Sequence, residues 1–136
     1  MRFLPRASFA RPLAAVWALL TNVLLLLPGS SWEAVAPGLG LDEALEVTAH
    51  FVLYFVLTCL VWAGFVTPTD DTPGPSGREW LVALAVLCVG LEVLQIQVPN
   101  RSVELVDIAV GLLGIGVASV WARRVGSADL YSRSGR

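Results

Sequence analysis

The chain contains no lysine. Its nine basic residues are all arginine and, set against 11 acidic residues and a single histidine, they leave a formal net charge of -2. Charged residues of every kind make up only 15% of its 136 residues. That scarcity excludes a basic face for nucleic acid, and with it the charge-rich surface of an ordinary soluble domain. Cysteine is almost as scarce: Cys59 and Cys88 both fall inside apolar runs with no partner at redox or metal-ligand spacing, so they read as small buried hydrophobes. Also missing are a nucleophile motif, a phosphate-binding loop and any spacing typical of metal ligands, so no metal and no cofactor is expected.

What is present is overwhelmingly apolar. Hydrophobic residues account for 56% of the chain and mean hydropathy is +0.72, whereas soluble domains are usually about 45 to 50% apolar. This composition predicts an all-α integral membrane protein. A span needs roughly 17 to 25 mostly apolar residues to cross the hydrocarbon core, and four stretches qualify, at about 12–27, 45–66, 79–98 and 103–122. Their apolarity is continuous and does not alternate, which predicts a helical bundle and argues against barrel strands.

Arginine placement sets the expected orientation. Arg2, Arg6 and Arg11 precede the first span and Arg123, Arg124, Arg133 and Arg136 follow the fourth, while 28–44 carries no basic residue. Both termini are therefore expected in the cytoplasm. Residues 1–11 read as a basic N-terminus, 12–122 as the four-span membrane domain and 123–136 as a basic, disordered tail. Trp62, Trp80 and Trp121 fall at span ends on the cytoplasmic side, where indole rings commonly anchor. "TPTDDTPGPSGR" reads as a cytoplasmic loop and "VPNRS" as a tight external turn. An Arg-rich start, an apolar centre and Ala34-Val35-Ala36 also resemble a secretory signal peptide with its cleavage site, although Pro37 is an awkward residue to follow one. Cleavage would leave three spans in the same orientation.

That orientation brings scattered polar residues to one depth. Counted from the outer ends of their spans, His50, Glu92 and Asp107 lie roughly 6 to 9 Å below the outer interface at 1.5 Å per residue, and Asn22 of the first span falls at a similar level. Helical spacing gives each span one polar or small-residue face. Glu46, His50, Tyr54 and Thr58 recur every fourth residue, and Glu92 and Gln95 are three apart. In the fourth span Glu104, Asp107, Gly111, Gly114 and Ala118 share a face, and the last three permit close helix packing, which turns Asp107 toward the bundle. A charged group at mid-membrane costs about 2.5 to 3.5 kcal/mol, somewhat less near the interface, so such groups are usually paired or functional. Arg101, in the turn above, is the expected partner of a carboxylate, with Pro99 helping to end the third helix. The candidate ligand-binding cluster is thus His50, Glu92, Gln95, Arg101 and Asp107, with Glu46 and Tyr54 beside it.

"EVTAHFVLYFVL" followed by "EVLQIQVPNRSVELVDIAVGLLG" resembles the VanZ-like family of small bacterial membrane proteins. The matching positions are Glu46, His50, Phe51, Tyr54, Glu92, Gln95, Pro99, Arg101, Asp107 and Gly114, within about Leu45 to Ala118. Two positions depart from the pattern: Val47 stands where the family usually has Lys, and Gly111 where it usually has Asn. The resemblance implies a four-span protein of the bacterial cell membrane and an association with reduced susceptibility to teicoplanin, an antibiotic that acts on cell-wall precursors at the outer membrane surface. Two functions follow as expectations. Either the cluster faces the outer leaflet and binds or modifies a lipid headgroup or lipid-linked wall precursor, or it is an interhelical packing network in a structural or partner-binding protein. A metal held by His50, Glu92 and Asp107 is conceivable by residue type alone, without a spacing signature. A proton or ion pathway is disfavoured, because below Thr58 the spans are nearly uniformly apolar. The bilayer is the one partner that composition itself identifies; protein partners and catalysis stay open.

Overall fold

The computed structural model describes residues 7–27, 43–66, 76–99 and 104–134. Within them the chain forms four long helices and no strand: α1 (Ala7–Leu26), α2 (Glu43–Val61), α3 (Gly77–Leu94) and α4 (Leu105–Ser134). A π-helical turn, Trp62–Val66, prolongs α2, and a 3₁₀ turn, Gln95–Gln97, prolongs α3. All four are long and apolar enough to cross a membrane. Leucine, alanine and valine dominate them, and in lipid a helix satisfies its backbone polar groups internally.

The helices run up, down, up, down. Arg11 near the start of α1 donates from Nε to the Gly64 carbonyl beyond α2 (2.8 Å), and Trp17 Nε1 donates to the Leu53 carbonyl (3.1 Å), so α1 and α2 are antiparallel. At the other end of α1, Gln95 Nε2 donates to the Leu25 carbonyl (3.0 Å). Helix α2 is the most enclosed, with 61% of its span buried against 22% for α1. Its main neighbour is α4. A Cβ added at Gly114 would lie 2.7 Å from the Phe51 carbonyl oxygen, so only glycine lets the two backbones come this close.

Outward faces are apolar and inward faces carry the polar residues. Phe9, Val16 and Leu19 of α1, Val82 and Val86 of α3, and Leu113 and Val120 of α4 are at least half exposed. Thr21, His50, Thr58, Glu92, Gln95, Asp107 and Ser119 are buried. Such an arrangement would aggregate in water and suits a bilayer.

Several boundaries differ from those expected. Helix α1 begins at Ala7, more than a turn before Pro12, because that extra turn packs into the bundle: Ala10 is fully buried and Arg11 is bonded to Gly64. Helix α4 does not give way to a disordered tail after Ala122 but continues to Ser134. Extending an established helix costs little, and Ala, Leu and Arg in 122–133 are good helix formers. Trp62 is not an interfacial anchor. It is buried, packed against Gly77 and under the Arg123 guanidinium at 5.3 Å. Trp80 packs against Phe65 instead, with ring centroids 4.8 Å apart and the ring planes tilted by 39°. Arg101, Ala34–Ala36 and most of both predicted connections around them lie outside the described residues.

Candidate functional site

Three helices deliver one ionisable side chain each to a single point. His50 Nδ1 lies 3.6 Å from Asp107 Oδ1, and His50 Nε2 lies 3.8 Å from Glu92 Oε2. One donor atom from each of the three residues lies within 4.8 Å of the other two. All three are almost completely buried, at 2%, 2% and 3% exposure for His50, Glu92 and Asp107. Neither imidazole–carboxylate distance is a direct hydrogen bond, which for charged partners would be about 2.7–2.9 Å.

The cluster sits at the end of the bundle where α1 and α3 finish and α2 and α4 start. Glu104 occupies the cap position of α4, its carbonyl accepting from the Asp107 and Ile108 amides at 3.1 and 3.3 Å. Its own amide donates to Glu92 Oε1 at 2.8 Å, so the α3 carboxylate caps the chain's entry into α4. Asp107 lies in the first turn of α4, where the helix dipole favours a carboxylate. Gln95, only 1% exposed, uses its amide on the Leu25 carbonyl, one of the last four of α1, which have no partner within their own helix. In the apolar phase an open carbonyl or amide is costly. Glu92 and Gln95 therefore each have a structural duty, independent of any ligand.

One helical turn deeper is a second layer. Tyr54 follows His50 by four residues, Cys88 precedes Glu92 by four and Gly111 follows Asp107 by four. A Cβ at Gly111 would lie 2.6 Å from Cys88 Sγ and 3.0 Å from the Tyr54 ring. Side chains of a helix lean toward its N-terminus, and in α2 that is toward His50. The Tyr54 hydroxyl is buried and has no nitrogen or oxygen hydrogen-bond partner among the described residues; the Cys88 thiol and, after it, Glu92 lie within its electrostatic reach. Below it Thr58 closes the column by donating to the Tyr54 carbonyl at 2.7 Å.

Of the residues singled out by sequence, His50, Glu92 and Asp107 meet, with Gln95 and Tyr54 adjoining them in the ways described. Gly111, Gly114 and Ala118 line the buried face of α4. Glu46 falls within α2, and Arg101 lies outside the described residues. Asn22, counted to the same depth, is spent locally: its Nδ2 donates to the Ala18 carbonyl of its own helix at 2.7 Å. Cys88 was read only as a hydrophobe. Its place under the cluster could have been found from its four-residue spacing to Glu92.

Taken together, the lipid-suited exterior and the four spanning helices define a multi-pass membrane protein with a buried imidazole–carboxylate centre near one end of the bundle. No protein-family model matches the chain, and neither a curated protein nor a solved structure matches it.

Proposed function

We propose that this is a VanZ-like protein of the bacterial cell membrane whose His50–Glu92–Asp107 centre lies in the outer half of the bilayer. There it binds the polar headgroup of a lipid or of a lipid-linked wall precursor, and so affects susceptibility to teicoplanin. The observation that carries the reading is the convergence of the cluster: three buried ionisable groups from three helices each bring one donor atom to within 4.8 Å of the others. An interhelical hydrogen bond in a membrane contributes on average only about 0.6 kcal/mol, a weak return for burying ionisable groups. The outward orientation is supported by Arg11 and Arg123, which gather at the opposite end around the π-helical turn, as arginines on the cytoplasmic side would. The resemblance to the family rests on the residue matches given above.

A second reading has its own support. The cluster is nearly sealed, and Glu92 and Gln95 both cap helix ends, as expected of a scaffold in a structural or partner-binding protein. Expression in a teicoplanin-sensitive Gram-positive host separates the two, comparing wild type, Glu92→Gln and Asp107→Asn with membrane abundance measured in the same cells. Protection by the wild type that either variant loses at unchanged abundance supports a working centre. Protection that falls only in step with abundance supports the scaffold, and a wild type that never protects removes the link to teicoplanin.

A further inference from the structure

Two buried carboxylates make a poor receptor for an anion. A phosphate brought to Glu92 and Asp107 would meet like charge in a low-dielectric setting, where repulsion is screened far less than in water. A cation held between them would turn the same point into a receptor for an anionic headgroup. The donor set itself is suited to hold it. We propose that His50, Glu92 and Asp107 bind a divalent first-row transition-metal ion, of the manganese, iron, cobalt or zinc type, and that this ion presents its open positions to an anionic group of the headgroup. Only the last clause rests on the function proposed above.

Geometry, chemistry and support agree. An ion with bonds of about 2.0–2.2 Å to nitrogen and oxygen holds its ligand atoms roughly 3 to 3.6 Å apart, and the three donors lie within 4.8 Å of one another with no charged group moved. Rotation about the side-chain torsions of Glu92 and Asp107 covers the remainder. One imidazole nitrogen with two carboxylate oxygens favours transition ions over calcium, which takes six to eight oxygens, and over magnesium, which prefers oxygen and water. Glu92 already has the outer support such ligands usually need: Oε1 is held by the Glu104 amide at 2.8 Å, leaving Oε2 on the side of His50. All three ligands stand on helices locked by close packing, at Phe51 against Gly114 and at Tyr54 and Cys88 against Gly111.

An independent feature points into the same space. The Tyr54 side chain belongs to a residue only 1% exposed and lies one turn beneath His50 on the side toward which its helix directs side chains; its hydroxyl has no nitrogen or oxygen hydrogen-bond partner among the described residues, only the weakly accepting Cys88 thiol within reach. A hydroxyl in that position leaves a polar group unsatisfied at a cost of about 1–3 kcal/mol, unless an ion or its bound water takes it. Cys88 is not in the ligand set. Its Sγ is directed to the Ile108 carbonyl at 3.9 Å.

The test uses the full chain in detergent micelles, stripped with a chelator and titrated with Co2+, whose visible absorption reports its ligands, with metal content confirmed by elemental analysis. Expected is about one Co2+ per chain with nitrogen and oxygen ligands only, displaced by Zn2+, and an affinity at least about tenfold lower in His50→Gln and in Asp107→Asn. Cys88→Ser should bind as the wild type does. Circular dichroism shows whether each variant folds; if neither ligand variant does, the wild-type spectrum decides, since a thiolate-to-cobalt band or no band at all overturns the proposal. Wild-type protein that takes up no Co2+, or a folded His50→Gln that takes it up equally, overturns it too. Metal binding is read without lipid or antibiotic. A loaded protein that gives no protection therefore refutes the headgroup function alone, and protection without metal uptake refutes the metal site alone.

Discussion

Two glycines two residues apart on α4 should respond to the same substitution in opposite directions. A methyl group at Gly114 would sit 2.7 Å from the Phe51 carbonyl oxygen of α2, whereas at Gly116 it would meet nothing within 4 Å. Ordinary contact begins near 3.4 Å, so Gly114→Ala forces α2 and α4 apart by about 0.7 Å at their closest crossing. Overpacking of this kind costs about 1–3 kcal/mol, and the better helix propensity of alanine returns about 0.8–1.0 kcal/mol. Gly114→Ala should therefore destabilise the bundle by up to about 2 kcal/mol, while Gly116→Ala, which has only the propensity gain, should stabilise it by up to about 1 kcal/mol. Gly111→Ala is a useful intermediate, because its obstacles are the Cys88 thiol and the Tyr54 ring. Side chains yield more readily than backbone, and adding Cys88→Ala should recover much of the loss. Reversible unfolding in mixed micelles on titration with sodium dodecyl sulfate, followed by circular dichroism, measures all four proteins. If Gly114→Ala proves as stable as Gly116→Ala, the close α2–α4 crossing is wrong.

Gln95→Leu keeps the side-chain volume and removes the donor to the Leu25 carbonyl, so it should cost about 0.6–1.5 kcal/mol in the same unfolding assay; an unchanged midpoint would mean that the carbonyl finds another partner. Arg11→Met removes both the bond to the Gly64 carbonyl and the guanidinium 5.6 Å above the Phe65 ring. Hydrogen exchange should then quicken in the first turns of α1 and in Trp62–Val66 while the amides around His50 stay protected, and uniform acceleration throughout the chain would contradict the local role given to Arg11.

Much of this architecture can be read from the chain without coordinates. Continuous apolar runs give the four helices, and arginine placement followed by counting inward reaches His50, Glu92 and Asp107, because a membrane fixes depth and helical rise turns depth into residue number. Rotation about each helix is less legible. Asn22 has the right depth but turns back onto Ala18, since an asparagine can satisfy itself on its own helix as well as across the bundle. Trp62 has the position of an interfacial ring but not its role. Gly77 leaves room for its ring and Arg123 lies over it, and such a seat depends on the meeting of segments distant in sequence. The capping duties of Glu92 and Gln95 were hidden for a related reason. A side chain that bonds a backbone group of another helix leaves no periodicity in its own.

The bond from Gln95 to Leu25 joins residues 70 positions apart, and that separation is also a delay. Ribosomes add about 5 to 20 residues per second, so the exposed end of α1 waits roughly 4 to 14 s between its own emergence and the arrival of the side chain that closes it. The Glu92 carboxylate meets the amide of Glu104 after only 12 residues, within about 3 s at the same rates. The end of α1 thus waits longest, yet it is closed first: Gln95 emerges nine positions before Glu104, so the α3–α4 junction follows it within about 2 s at the same rates.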